Sequence, residues 1–335
     1  MNKKKNAASE RPPSIRHGFT LLAALTLSCL SGVAMSEASS KAIFIIVDGI
    51  PADVLESTPT PNFDDISGAG GYTRAWVGGE AGGESESPTV SAVGYNSLIT
   101  GTWSNKHNVY DNDVNDPNYA YWDIFRIAKK HDSSLQTALF STWTDNRTKL
   151  IGDGLPEAGG YKLDFTFDGL ELDAGRFPHD LQSNYIRDID ATVAGEAARH
   201  VRHAGPDLSW VYLQYTDDIG HRHGDGPKMT AAVSLMDEWV GQIWDAVKAR
   251  EASHAEDWML VVTTDHGRNA ETGRGHGCQT ERERTIWIST NHNVLNANFG
   301  PDAAIVDILP SIATHLGLSM PDDIRTALDG QSFID

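Results

Sequence analysis

Three short runs of β-branched and other apolar residues constrain the fold of this chain more than any other feature. They are Ala42–Val47 (AIFIIV), Leu208–Gln214 (LSWVYLQ) and Trp258–Thr263 (WMLVVT). Each run is almost continuously apolar, which is typical of a strand that is buried on both faces of a sheet. Such strands need covering elements on both sides, so the runs favour a layered α/β structure.

Helical patterns separate these runs along the chain. Two weaker strand candidates are Thr137–Ser141 and Thr285–Ser289, and the helical patterns fall at Tyr121–His131, Ile189–His203, Lys228–Arg250 and Ala304–Leu316. The alternation predicts an α/β fold with a mostly parallel central sheet and helices on both faces. Residues 37–335 contain no internal repeat and no low-complexity linker, so we expect them to form one domain.

The N-terminus is typical of a targeting segment. A basic stretch over residues 3–16 precedes an apolar run from residue 19 to about residue 33, and small residues at 34–36 offer a cleavage site. The run is short for a membrane span. We therefore predict a signal peptide over residues 1–36, export to the periplasm or the medium, and no stable membrane span after processing. An uncleaved anchor is the alternative.

The charge of the chain restricts its partners. The formal net charge is −19, and loss of the basic N-terminal stretch would make the remainder more acidic still. Such a surface offers no footprint for nucleic acid, and an anionic substrate would need local positive charge, for which a metal ion is the obvious source. Of the two cysteines, Cys29 lies in the predicted signal peptide, so Cys278 has no partner for a disulfide.

Carboxylates follow all three apolar runs. Asp48 comes directly after the first run, Asp265 closely follows the third, and Asp217 lies a few residues beyond the second. Ligands of parallel sheets bind beyond the carboxyl ends of the strands, so we expect these three carboxylates at one edge of the sheet. A single such aspartate is usually a helix cap, but three together are hard to explain by capping.

Histidines accompany two of these carboxylates. His221 follows Asp217 with D-x-x-x-H spacing on what we interpret as a loop, where Gly220 would allow a tight bend. His266 directly follows Asp265.

A third histidine, His276, lies in a glycine-rich stretch over residues 273–277 that could fold back over the same edge. His223 is an alternative to His221, but lacks its spacing. Three carboxylates and three imidazoles form a donor set that suits zinc better than calcium. Two ions in such a set could clamp the attacking and leaving oxygens at phosphorus.

The segment from Ser87 to Gly101 is interpreted as a loop that enters a helix, which stops at Gly101. A hydroxyl at this entry could serve simply as a helix cap. It could also be a nucleophile, because a helix N-terminus stabilises anions and a neighbouring metal ion activates a hydroxyl. Thr89 and Ser91 both qualify on chemistry alone.

These motifs, taken in order, resemble the alkaline phosphatase superfamily, and most closely its nucleotide pyrophosphatase/phosphodiesterase branch. The motifs are Val47-Asp48-Gly49, Pro61-Asn62-Phe63, Ser87 to Gly101, His107 to Asn112, Asp217 to His221 with Gly224, and Asp265-His266-Gly267. The resemblance implies an alkaline phosphatase-like α/β/α catalytic domain, a small phosphoester substrate and two divalent metal ions, zinc above all.

The resemblance also implies roles for individual residues. One ion would be held by Asp217, His221 and His276, and the second by Asp48, Asp265, His266 and the oxygen of the nucleophile. Counting back from Thr100-Gly101 places the nucleophile at Ser91, and counting forward places a donor to the phosphoryl group at Asn112. Three features depart from the branch: serine replaces its threonine nucleophile, the segment from His266 to His276 is short, and inserted cap segments are lacking.

The bond that is hydrolysed follows from a charge argument. Enzymes for dianionic monoesters tend to add a cationic clamp, whereas two metal ions and the neutral amide of Asn112 can satisfy a diester. Only Lys106 and Arg274 are candidate clamps near Ser91, and both are better interpreted as solvated loop charges. We therefore expect phosphodiester or pyrophosphate bonds, with an alkaline phosphatase-type phosphomonoesterase as the alternative.

Other functions fit less well. A sulfatase would need C/S-x-P-x-R, and the sequence after Ser91 has neither the proline nor the arginine. A cofactor-independent phosphoglycerate mutase would need a large inserted domain, for which the chain is too short. A metal-bound binding module without catalysis is the alternative from a different class.

Overall fold

The computed structural model describes residues 38–335 and, nearer the N-terminus, the isolated positions 10 and 13. Apart from those two positions, the predicted signal peptide lies outside the described residues. Within the described part, no helix combines the length and the apolar character that a membrane crossing requires.

The described residues contain seven strands in one sheet. The strands are β1 (Ser39–Val47), β2 (Gly71–Trp76), β3 (Thr137–Ser141), β4 (Phe165–Phe167), β5 (Leu208–Leu213), β6 (Glu256–Thr263) and β7 (Thr285–Thr290). Their order in the sheet is β2-β7-β6-β1-β5-β3-β4. All five strands expected from the sequence are present, whereas β2 and β4 were not foreseen because these edge strands are short and only partly buried.

The prediction of a mostly parallel sheet is confirmed. β1 lies at the centre and pairs in parallel with β5 and β6, while β3 pairs in parallel with β5 and β4. β7 runs antiparallel to both β6 and β2. The reversal of β7 has a consequence for the site, because the whole connection over residues 264–284 stays at the edge where β6 ends.

Eleven α-helices lie in the described part of the chain. They are α1 (Ala52–Ser57), α2 (Pro61–Ala69), α3 (Ser91–Thr100), α4 (Ser104–His107), α5 (Ile124–His131), α6 (Asn184–Ala204), α7 (Tyr215–His223), α8 (Pro227–Ser253), α9 (Glu281–Arg284), α10 (Ile308–His315) and α11 (Asp322–Ala327). A π-helix spans Asn146–Ile151, and 3-10 turns span Leu170–Leu172 and Ile305–Asp307. The four helical patterns expected from the sequence correspond to α5, α6, α8, and the turn that leads into α10.

The core has two layers, one on each face of the sheet. Along β1, Ala42, Phe44 and Ile46 pack in the layer that contains α3, α5 and α10. Ile43 and Ile45 pack on the opposite face against α2, α6 and α8. Burial on both faces explains why the central strands are continuously apolar.

Candidate metal centre

The three central strands end side by side, and this places their following residues together. Val47 of β1 is paired with Leu213 of β5, and Ile46 is paired with Thr263, the last residue of β6. Asp48 follows β1 at once. Asp265 and Asp217 come two and four residues beyond the neighbouring strands, so the expected meeting of three carboxylates at one edge is what the fold produces.

Asp217 and His221 lie on a helix, so the interpretation of this segment as a loop was wrong. Both belong to α7, where the i, i+4 spacing puts them on one face, and His221 Nε2 is 3.3 Å from Asp217 Oδ2. Gly220 lies within the same helix and makes no bend. His223 is exposed two residues further on and belongs to neither ligand cluster described below.

Asp217, His221 and His276 form the first ligand cluster, in which one potential ligand atom from each residue lies within 4.8 Å of the others. The Nε2 atoms of the two histidines are 3.0 Å apart. His276 Nδ1 is 2.8 Å from the carbonyl oxygen of Thr89. This carbonyl can only accept, so Nδ1 carries the proton and the Nε2 lone pair faces the cluster.

Asp48, Asp265 and His266 form the second ligand cluster. His266 Nε2 lies 3.4 Å from Asp48 Oδ1 and 3.3 Å from Asp265 Oδ2. His266 Nδ1 donates to the carbonyl of Gly267 at 2.9 Å, so the lone pair of Nε2 faces the two carboxylates. Asp217 is also within reach, because a ligand atom from it lies within 4.8 Å of atoms of Asp48 and His266.

Within residues 38–335, no lysine or arginine forms an ion pair with the two buried carboxyl groups of the second ligand cluster. Asp48 Oδ1 and Asp265 Oδ2 are buried and have no hydrogen-bond partner within residues 38–335. Burial raises the pKa of Asp48, as do the charges of Asp265 and Asp217, and burial raises the pKa of Asp265 to about 7. Burial lowers the pKa of His266, so this imidazole stays neutral. Unpaired buried carboxylate oxygens facing a nitrogen lone pair are costly, and a bound cation would satisfy them all.

Two tyrosines that the sequence did not single out fix the orientation of Asp48. The hydroxyl of Tyr212 donates to Asp48 Oδ2 at 2.7 Å, and the hydroxyl of Tyr95 contacts the same oxygen and lies 2.8 Å from that of Tyr212. Both rings are buried. The contacts hold Oδ2 and leave Oδ1 free for an ion. In the sequence both residues are indistinguishable from ordinary core aromatics.

Arg268 is another residue of the site that the sequence did not single out. Its side chain is fully buried and its guanidinium bonds to the carboxylate of Asp217. Burial raises the pKa of Asp217, but the hydrogen bond with His221 and the charge of Arg268 outweigh it, and the pKa lies below its ordinary value. The only signal in the sequence is an arginine directly after Asp265-His266-Gly267.

Ser91 is the first residue of α3, and its hydroxyl is not used as a helix cap. Val90 occupies the N-cap position, and Ser91 Oγ lies 3.3 Å from His266 Nε2. Thr89, the other candidate, is occupied elsewhere: its hydroxyl donates to the carbonyl of Cys278 at 2.8 Å and accepts from the amide of Gly277 at 2.9 Å. The geometry thus favours Ser91 over Thr89 as the candidate nucleophile, a choice that the chemistry of the two hydroxyls could not make.

Asn112 lies beside α3 with its amide group oriented. Its Oδ1 accepts from the amide of Ala92 at 2.9 Å, so Nδ2 is free to donate towards a ligand. Asn112 and Ser91 line one cavity of about 320 Å³. The lining residues are Asp48, Ser91, Tyr95, Asn112, Asp113, Trp143, Asp145, Lys149, Tyr212, Gln214 and Asp217.

The expectation that only Lys106 and Arg274 could act as a cation near Ser91 was wrong, because Lys149 lines the same cavity. It projects from the π-helix, an irregular element with no clear sequence pattern. Its ammonium lies 2.9 Å from Asp145 Oδ2 and donates to the carbonyl of Asp113 at 2.9 Å. Lys106 does not line this cavity and pairs with Asp329.

Comparison with known proteins adds independent information. The model of a family described as type I phosphodiesterase / nucleotide pyrophosphatase matches residues 42–282. Human ectonucleotide pyrophosphatase/phosphodiesterase family member 5 is 25% identical over 298 residues, covering 85% of this chain and 55% of that protein. Venom phosphodiesterase from Naja atra is 21% identical over 250 residues, covering 69% of this chain and 26% of that protein. The chain thus spans about half the length of the first relative and about a quarter of the second.

The fold has relatives among solved structures. The phosphonate monoester hydrolase of Agrobacterium radiobacter matches with a TM-score of 0.60 and 15% identity, covering 87% of this chain and 76% of that one. At this level of identity the likeness concerns the fold alone.

Proposed function

This chain belongs to the type I phosphodiesterase/nucleotide pyrophosphatase family, which confirms the resemblance seen in the sequence, and we propose that it is a metal-dependent phosphoester hydrolase with Ser91 as its nucleophile. The observation that carries the proposal is that Ser91 Oγ lies 3.3 Å from His266 and lines one cavity with Asp48, Asn112 and Asp217. A hydroxyl at the N-terminus of a helix, beside a cation-binding cluster, is suited to attack on phosphorus.

Two divalent ions, zinc above all, are part of the proposal. The first ligand cluster would hold one ion, and the second ligand cluster together with Ser91 Oγ would hold the other. Oxygen and imidazole donors in this ratio suit zinc. When bound, the ions lower the pKa of a neighbouring hydroxyl and stabilise negative charge on the phosphoryl oxygens.

The chain's own residues supply the remaining steps. Ser91 Oγ loses its proton to solvent and forms a bond to phosphorus, while the bond from phosphorus to the leaving oxygen breaks and that oxygen takes up a proton. Water then attacks phosphorus, the Ser91 Oγ–phosphorus bond breaks, and Ser91 regains its proton. The N-terminus of the ten-residue helix α3, where Ser91 lies, favours negative charge on the phosphoryl group, and Asn112 Nδ2 adds a neutral donor.

Phosphodiester or pyrophosphate bonds fit this cavity better than monoesters. Lys149 is present, but its charge is paired with Asp145, and Arg268 is paired with Asp217. Neither cation is therefore free to clamp the second negative charge of a monoester. Lys149 also supports the alternative, a phosphomonoesterase, if a substrate draws its ammonium away from Asp145.

A comparison of substrates tests this proposal. The zinc-loaded protein should hydrolyse bis-p-nitrophenyl phosphate or a nucleotide p-nitrophenyl ester with a higher kcat/KM than p-nitrophenyl phosphate. Lys149→Met should leave this order unchanged. Preferential hydrolysis of the monoester that disappears in Lys149→Met would establish the phosphomonoesterase instead.

We further propose that residues 37–335 form one catalytic domain that is exported to the periplasm or the medium after removal of residues 1–36, and that it acts on a small phosphoester. The acidic character of the chain supports a small substrate rather than a nucleic acid. N-terminal sequencing of the protein recovered outside the cytoplasm tests the cleavage site.

A further inference from the structure

We propose that Arg268 is a positioning residue of the metal centre, which commits Asp217 to the ion of the first ligand cluster and prevents it from bridging to the ion of the second. The inference rests on the proposed function, because it concerns the same pair of ions.

Arg268 is built into the centre and does not merely border it. Its side chain is fully buried. Nε donates to the carbonyl of Gly49, Nη1 to that of Arg274 and Nη2 to that of Asp217, each at 2.9 Å. The guanidinium thus joins the turn after β1, the start of α7 and the segment that leads to His276. A charged group buried at this depth needs hydrogen-bond partners, and each of its three nitrogens has at least one.

The surrounding backbone leaves room for this guanidinium. A Cβ added to Gly220 would lie 2.1 Å from Cζ and 2.2 Å from Nε of Arg268, and one added to Gly49 would lie 2.5 Å from Nη2. Gly49 has a φ of +65°, which favours glycine by itself, but Gly220 is helical and has no such requirement. Space for Arg268 is therefore a sufficient reason for glycine at position 220.

The two oxygens of Asp217 have different surroundings. Oδ2 lies 3.3 Å from His221 Nε2, within the first ligand cluster. Oδ1 lies between the two ligand clusters, 3.9 Å from Nε2 of His266 in the second and 3.8 Å from Nε2 of His276 in the first, and it is the oxygen bonded to Arg268. A guanidinium keeps its charge at all ordinary pH values, so it competes continuously with a cation for Oδ1. Oδ2 remains free for the first ion.

A merely structural role for Arg268 makes a different prediction. If the residue only joined three segments, its loss would loosen the whole edge of the sheet and weaken both ions together. If it positions Asp217, its loss should act on the ion of the first ligand cluster selectively.

The test is a zinc titration of the metal-stripped full-length protein in competition with a chromophoric chelator, which yields a dissociation constant for each ion. Arg268→Met should weaken the binding of one of the two ions about 10- to 100-fold, as loss of a partner that orients a ligand does. Binding of the other ion should stay unchanged or become tighter, because Oδ1 of Asp217 is then released. Gly220→Ala, which displaces the guanidinium but keeps it in the chain, should weaken the same ion. If Arg268→Met does not fold, the zinc titration of Gly220→Ala provides the test.

Arg250→Met is the matched control. Arg250 is another buried arginine, whose Nε donates to Glu256 at 2.8 Å at the start of β6, far from the centre. The Arg250→Met variant should bind both ions as the wild type does. Wild-type zinc affinities in both Arg268→Met and Gly220→Ala, or equal weakening of both ions, would overturn this inference. Either result would leave the proposed function standing. A wild-type protein that binds no zinc would instead contradict the proposed function, and the inference with it.

Discussion

Ser91 Oγ lies 3.3 Å from His266 Nε2, although 175 positions separate the two residues in the chain. The contact arises because α3 packs directly on the segment after β6. An added Cβ at Gly94 would lie only 2.8 Å from the carbonyl oxygen of Asp265. The hydroxyl and the second ligand cluster are therefore held together by backbone packing and not by flexible side chains alone.

Replacement of Ser91 should separate metal binding from catalysis. Ser91→Ala removes the proposed nucleophile but none of the carboxylates or imidazoles, so the protein should retain its metal and lose turnover by about a thousandfold or more. Steady-state rates on a p-nitrophenyl diester, with metal content measured on the same sample, provide the check. A wild-type rate in Ser91→Ala would show that Ser91 is not the nucleophile and would assign that role to Thr89 or to water.

Replacement by alanine should have opposite effects on stability at two helical glycines, one packed closely on its neighbour and one not. Gly94→Ala must push α3 away from Asp265, so it should cost about 1–3 kcal/mol of unfolding free energy and lower kcat. Gly195→Ala on α6 meets no atom of the described structure within 4 Å, and should stabilise by about 0.5–1 kcal/mol through helix propensity. Urea unfolding of both variants, with rates, tests this. If Gly94→Ala keeps wild-type stability and rate, the packing is not as described.

His107 makes the stability of the fold sensitive to acid. It is fully buried, its Nδ1 accepts from the amide of Val109 at 3.1 Å, and its Nε2 lies 3.1 Å from Ser97 Oγ. Burial lowers its pKa to about 3. In the unfolded chain His107 binds a proton as the pH falls through about 6.5, whereas in the folded chain it does not. The contribution of the buried, neutral His107 to the free energy of unfolding is therefore complete above pH 6.5. It is lost towards pH 3, by about 1.4 kcal/mol per pH unit.

The check on His107 is urea unfolding between pH 7.5 and pH 4 in the presence of a chelator, which removes the contribution of bound metal. His107→Gln should be less stable than the wild type at pH 7.5, but its stability should fall less steeply below pH 6.5. Parallel curves for the two proteins would show that His107 titrates normally.

The position of the candidate site was predictable from the sequence, but its finer parts were not. Asp48, Asp217 and Asp265 each follow a recognisable buried strand, and the carboxyl ends of parallel strands must meet at one edge. The helix α7 escaped notice because it is short, polar and contains Gly220, and glycine is a poor helix former. The requirement that outweighs this propensity is space for Arg268, which only the packed structure reveals.

Charge placement was equally hard to foresee. Arginine is usually exposed, so an Arg268 buried behind Asp217 contradicts the ordinary expectation. Lys149 belongs to an irregular π-helix, whose start and orientation no periodic pattern indicates. The direction of β7 likewise depends on the length and course of residues 264–284, which local sequence does not determine.

The central claim is that two divalent ions bind at the edge of the sheet, and metal analysis of the purified protein tests it most directly. Wild type and His223→Ala should each carry about two ions per chain, because His223 is exposed and belongs to neither ligand cluster. His221→Ala should lose one of them, and activity with it. Two retained ions in His221→Ala, or full activity of the wild type after all metal has been removed by a chelator, would contradict the account.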